Sequence, residues 1–119
     1  MKTILIVDDQ PGIRLLLEEV FTNEGYQTAT ARNGMEAFEK VRECEPDLIL
    51  LDMKIPGMDG IEILKKLKAD CSRIKVIMMT AYGEKNLIEE TISHGAVRYF
   101  TKPFDIFEVL RIVKQLLQD

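Results

Sequence analysis

The sequence has no tryptophan, one histidine, two cysteines and four prolines among 119 residues. A lone histidine rules out multi-histidine metal centres. Cys44 and Cys71 have no Cys or His neighbour at ligand spacing, so a zinc site is not indicated. Both are expected to be free thiols in a reducing compartment. There is no basic excess: 16 Lys and Arg stand against 20 Asp and Glu, for a net charge of −4. That argues against non-specific binding to nucleic acid or anionic membranes, which needs clustered cations. Long apolar runs are also missing. Ile4-Leu5-Ile6-Val7 ends at two acids and is too short for a signal-peptide core. No stretch approaches the roughly 20 apolar residues that span a bilayer. A cytoplasmic location is expected, as one domain over residues 1–119, with only Gln118 and Asp119 after the last apolar position. Linkers, repeats and low-complexity segments do not occur.

Short apolar runs alternate with amphipathic segments. Thr3 to Val7 reads as a buried strand. Pro11 suits a first helical turn, and Ile13, Leu16, Leu17, Val20 and Phe21 follow at helical spacing until Gly25. Leu16, Val20 and Phe21 are expected to face the core, with Leu17 on either side. Tyr26 to Ala31 reads as a less hydrophobic strand near a sheet edge. Asn33 caps a helix to about Glu43, and Pro46 marks the break. Leu48 to Leu51 is the most hydrophobic strand and is expected at the sheet centre. Lys54 to Gly60 reads as a loop, Ile61 to Lys68 as a helix, Val76 to Met79 as a strand, Lys85 to Ser93 as a helix and Arg98 to Thr101 as a last strand. Ile106, Val109, Leu110, Val113, Leu116 and Leu117 make a final helical stripe. Five strands alternating with five helices imply an α/β fold, a parallel sheet with helices on both faces.

In such sheets ligands bind beyond the carboxyl ends of the strands. The first strand ends in Asp8-Asp9, the third in Asp52, the fourth in Thr80 and the fifth in Lys102-Pro103. Three carboxylates on one rim raise each other's pKa unless a cation intervenes. Hard oxygen ligands of this kind suit Mg2+. A carboxylate nucleophile, a divalent cation, a lysine and a hydroxyl are the parts that stabilise a transferring phosphoryl group.

At this point the chain resembles a known family over its whole length: the receiver domains of bacterial two-component response regulators. ILIVDDQ, LILLDMKIPGMDGIEIL, VIMMTAYG and FTKPF carry the resemblance. It implies a doubly wound, flavodoxin-like sheet of order 2-1-3-4-5 flanked by five helices. It implies Asp52 as acceptor of a phosphoryl group from the phosphohistidine of a sensor histidine kinase. It further implies Mg2+, with Mn2+ or Ca2+ as substitutes, held by Asp9, Asp52 and the Lys54 backbone carbonyl, with Asp8 acting through water. Thr80 and Lys102 would contact the phosphoryl oxygens. Within the family the chain is most similar to stand-alone sporulation phosphorelay intermediates, which pass the group to a downstream histidine phosphotransferase. Such a protein is a phosphoryl carrier that catalyses its own aspartyl phosphorylation and dephosphorylation, and aspartyl-phosphate phosphatases are expected partners. A monomer is expected. Tyr99 departs from the histidine expected in the sporulation members and follows the general receiver pattern. An alternative role is a stand-alone receiver that regulates a target by direct, phosphorylation-dependent binding.

Several residues carry secondary expectations. Lys54 and Tyr82 stand two residues after Asp52 and Thr80 and are expected to slow hydrolysis of the acyl phosphate. Thr80 and Tyr99 are candidates for a coupled switch. Lys102-Pro103 is expected to be cis from the resemblance. Gln10, Pro11, Ile13, Arg14, Pro103 and Phe104 are expected to border the acidic rim and to dock a partner's helices, with Leu17 and Ile106 beside them. His94, next to Gly95, reads as a helix-end residue, and the methionines as loop and core filling. A haloacid-dehalogenase-type phosphatase would need an acid where Lys54 stands. A flavodoxin-like cofactor site would need a phosphate-cradling loop where Asp8-Asp9 stands.

Overall fold

A computed structural model describes residues 1–55, 57–70, 73–81 and 85–118, without the side chains of Lys85 and Asn86. Expectations for Cys71 and Tyr82 therefore lie outside the described residues. In chain order the elements are β1 (Thr3–Val7), α1 (Pro11–Asn23), β2 (Gln27–Ala31), α2 (Gly34–Cys44), β3 (Leu48–Asp52), β4 (Lys54–Ile55), β5 (Met58–Asp59), α3 (Gly60–Asp70), β6 (Lys75–Thr80), α4 (Lys85–Ser93), β7 (Arg98–Thr101) and α5 (Ile106–Leu117).

The main sheet has the order β2-β1-β3-β6-β7, and all four pairings are parallel. Setting the short β4-β5 pair aside, this is the expected 2-1-3-4-5 order. β1, β3 and most of β6 are buried on both faces, which is why they read as continuous apolar runs. Their side chains alternate between two cores. Leu5, Val7, Ile49, Leu51, Val76 and Met78 meet α3 through Ile63, Leu64 and Leu67, together with Ala37 of α2. Ile4, Ile6, Leu48, Leu50, Ile77 and Met79 meet Leu17 and Phe21 of α1 and Val109, Ile112 and Val113 of α5. Each such large side chain contributes about 1.5–3 kcal/mol by leaving water.

Two readings need correction. Lys54 to Gly60 is not a plain loop, because β4 and β5 pair antiparallel within it, with Ile55 opposite Met58 and Lys54 opposite Asp59. Only two residues lie in each strand, too few for an alternation signal. On α1, Leu17 is fully buried and Leu16 is 44% exposed, the reverse of the expected weighting. Leu17 and Phe21 carry the stripe with Ile13 packed beside them, Val20 is half-buried, and Leu16 lies about a quarter-turn off Leu17 at 100° per residue.

Helix ends follow local chemistry. The Asn33 side chain accepts from the Glu36 N–H at 2.9 Å and caps α2. Glu45 closes that helix in the left-handed region at φ 45°, a place usually taken by glycine. Gly95, at φ 106°, turns the chain after α4, next to His94 at the helix end as expected. Among the described residues no helix is long and apolar enough to cross a membrane.

Candidate functional site

Parallel pairing brings the carboxyl ends of all main strands to one rim. Register matches Val7 with Leu51 and Leu51 with Met78, so Asp8 and Asp52 leave adjacent strands side by side. One oxygen each of Asp8, Asp9 and Asp52 lies within 4.8 Å of the others. Asp8 is fully buried, Asp52 is 6% exposed, and Asp9 faces solvent. The Asp8 backbone N–H donates to the Ala31 carbonyl at the end of β2, so even the strand end without a functional group holds the acid in place.

Lys102 answers the negative charge. Its Nζ lies 2.7 Å from Asp8 Oδ2 and 3.4 Å from Asp52 Oδ2. The Lys102-Pro103 bond is cis, as expected. The Lys102 N–H donates to the Thr80 carbonyl at 2.7 Å and ties β7 to the end of β6. Thr80 is buried, and its hydroxyl donates to the Phe100 carbonyl at 3.3 Å. To reach a group on Asp52 that hydroxyl must exchange partners. The Lys54 N–H approaches Asp52 Oδ1 at 3.4 Å, while the Lys54 side chain is exposed.

Burial pushes the Asp52 carboxyl up to about 6, and the Asp8 charge adds to the rise, while Lys102 and the Lys54 N–H pull it down. Burial outweighs the opposing pull of Lys102, so the carboxyl stays raised. The donor set fits a hard divalent cation: three carboxylates, two of them on adjacent strand ends and one open to water. Asp8 accepts on both oxygens, from the Gln10 N–H at 2.8 Å on Oδ1 and from Lys102 on Oδ2, which suits a ligand acting through water.

The remaining expected residues are divided between site and surface. Gln10 and Arg14, expected on a docking surface, also touch the site. Gln10 Oε1 accepts from Lys102 Nζ at 3.1 Å, and Arg14 Nη1 donates to the Asp8 carbonyl at 2.7 Å. For Gln10 the available sequence signal was its place next to Asp9; Arg14 reaches back one helical turn and more from α1. Pro11 and Pro103 are exposed, whereas Ile13, Phe104 and Ile106 are half-buried against the α1–α5 core. Leu17 is wholly core. Tyr99 is 44% exposed on edge strand β7 and is a member of neither core. One positioning residue escaped the sequence reading. A Cβ at Gly60 would stand 2.6 Å from the Met53 carbonyl oxygen and 2.9 Å from that of Asp52. No sequence pattern marks a contact made across a hairpin.

A family model described as the response regulator receiver domain matches residues 4–114. The chain is 60% identical over 114 residues to sporulation initiation phosphotransferase F of Bacillus subtilis (strain 168), covering 96% of this chain and 92% of that protein. It is 36% identical over 115 residues to the chemotaxis protein CheY of the same organism, covering 96% of each. Among solved structures, response regulator TrrA of Thermotoga maritima, in complex with Mg2+–BeF, superposes with a TM-score of 0.87 at 39% identity, covering 98% of this chain and 100% of that one.

Proposed function

The chain belongs to the response regulator receiver domain family, and on that premise we propose that it carries a phosphoryl group on Asp52 in a phosphorelay that controls sporulation. A sensor histidine kinase donates the group, and a downstream histidine phosphotransferase receives it. The 60% identity to sporulation initiation phosphotransferase F over nearly all of both chains supports the relay and its sporulation setting. The convergence of Asp8, Asp9, Asp52 and Lys102 on one rim is the observation that carries the chemistry.

In the forward step an Asp52 carboxylate oxygen attacks phosphorus, a P–O bond forms, and the P–N bond to the donor imidazole breaks. The leaving imidazole keeps the electron pair and takes a proton from water. Mg2+ supplies charge neutralisation at the phosphoryl oxygens when bound. Asp9, Asp52 and the Lys54 carbonyl would hold it directly and Asp8 through water. Lys102 and Thr80 take up the phosphoryl charge on the remaining side. Thr80 gives up its bond to Phe100 in doing so, and that exchange is what would turn Tyr99 inward. Gln10, Pro11, Ile13, Arg14, Pro103 and Phe104 surround the rim and form the docking surface. Aspartyl-phosphate phosphatases would approach by the same rim. The protein acts as a monomeric, cytoplasmic carrier.

A second reading rests on the 36% identity to CheY: phosphorylation alters direct binding to a target. Transfer onward to a purified histidine phosphotransferase separates the two. The central claim is tested by incubation with acetyl phosphate and Mg2+. Wild type should gain one phosphoryl mass and Asp52→Ala none; no adduct on wild type, or an equal adduct on the variant, overturns it.

A further inference from the structure

Lys102 is shared unevenly. Among the described residues its ammonium donates two hydrogen bonds, to Asp8 Oδ2 at 2.7 Å and to Gln10 Oε1 at 3.1 Å. Asp52 lies farther away, at 3.4 Å. Both acceptors belong to the segment that follows β1. Gln10 serves this arrangement twice, because its backbone N–H also donates to Asp8 Oδ1 at 2.8 Å. A ring results: the Asp8 carboxylate, the Gln10 backbone, the Gln10 amide oxygen and the Lys102 ammonium. Gln10 stands at the N-cap position of α1, yet its side chain makes no capping bond to the helix. An exposed glutamine thus spends its amide oxygen on a half-buried lysine.

We propose that Gln10 is a positioning residue that holds Lys102 against Asp8 and so sets how strongly the lysine competes with a divalent cation for the acidic rim. The inference rests on the metal-site reading above. A cation and an ammonium near one carboxylate repel each other, so whatever retains the ammonium there weakens the cation. The amide is neutral, and its hold does not depend on the charge of Asp8 or Asp52. It is therefore the part of the ring that persists as a metal draws on Asp8. It is also weak enough to yield when a doubly charged phosphoryl group offers Lys102 a stronger partner.

The test uses purified full-length protein with Mg2+ alone and no partner, so docking by Gln10 plays no part. Binding is followed by amide chemical-shift titration of wild type, Gln10→Leu, Lys102→Met and the double variant. Loss of one solvent-accessible hydrogen bond of ordinary net strength is expected to tighten Mg2+ binding by about two- to tenfold in Gln10→Leu. Lys102→Met should tighten it further, and adding Gln10→Leu to that variant should change nothing, because the amide acts only through the lysine. Unchanged Mg2+ affinity in Gln10→Leu, or the same change with and without Lys102, overturns the proposal. No saturable Mg2+ binding by wild type would instead overturn the metal-site reading beneath it. Melting temperatures of all four proteins separate these outcomes from misfolding.

Discussion

Alanine at Gly60 is a substitution of one methyl group whose effect can be worked from contacts. The added Cβ would meet Met53 O at 2.6 Å, Met53 Cα at 2.8 Å and Asp52 O at 2.9 Å. Carbon atoms pack at about 3.5–4.0 Å, so the shortfall is on the order of 1 Å. All three neighbours are backbone, and no rotamer change relieves them. Gly60 N–H also donates to Met53 O at 3.0 Å, so moving α3 away strains that bond. Overpacking of this kind costs about 1–3 kcal/mol. For a domain of this size that lowers the melting temperature by about 4–12 °C. The displaced segment carries Asp52, and a misplacement near 1 Å slows phosphoryl uptake by about ten- to a hundredfold. Gly12 is the internal control. It lies in the first turn of α1, and nothing stands within 4 Å of its added Cβ. Alanine there removes backbone freedom from the unfolded chain and stabilises by up to about 1 kcal/mol. The same substitution thus has opposite signs at two positions. Thermal unfolding by circular dichroism and the initial rate of uptake from acetyl phosphate measure both. Gly60→Ala melting within about 1 °C of wild type, with an unchanged uptake rate, would refute the reasoning.

Other perturbations follow from the same geometry. The Asp52 carboxyl is raised from 3.8 to about 6 by burial and by Asp8. In the metal-free protein the folded state therefore binds a proton that the unfolded state has released. Stability from this group is fully present below the lower value and is lost as pH rises through about 6, by up to about 3 kcal/mol. Asp52→Asn should flatten that part of the stability–pH profile, and a slope equal to wild type would contradict the assignment. Asp8→Asn removes the second cause of the shift and should lower the Asp52 titration midpoint, read by carboxyl carbon NMR; a midpoint left at about 6 would leave burial as the sole cause. Asn33→Ala removes the side-chain cap of α2 and should cost about 1 kcal/mol in urea unfolding. Lys54→Asn removes a bulky exposed side chain beside Asp52 and should shorten the acyl phosphate lifetime; an equal rate of phosphoryl loss would exclude shielding by Lys54.

Much of the fold was legible because its signals are local. A strand buried on both faces reads as Ile4-Leu5-Ile6-Val7, and a helix stop reads as glycine. The strand ends could be read as well, since Asp8, Asp52 and Thr80 directly follow or close apolar runs and Lys102 follows the short strand Arg98–Thr101. The two-residue strands β4 and β5 are too short to have a period. The exchange of Leu16 and Leu17 turns on about a quarter of a helical turn, which only the neighbouring sheet resolves.

By itself the sequence determined the alternation of elements, the acids at the strand ends and the family. Tertiary structure alone decided which charges meet. Lys102 and Asp8 are separated by 94 positions, and no pattern along the chain could show that the lysine sits closer to Asp8 than to Asp52. Nor could it show that Gln10 joins them, or that a backbone carbonyl occupies the space beside Gly60. Periodicity and punctuation are properties of neighbours in sequence. Electrostatic competition and steric exclusion depend on distances of a few ångströms between segments that only the folded sheet brings together.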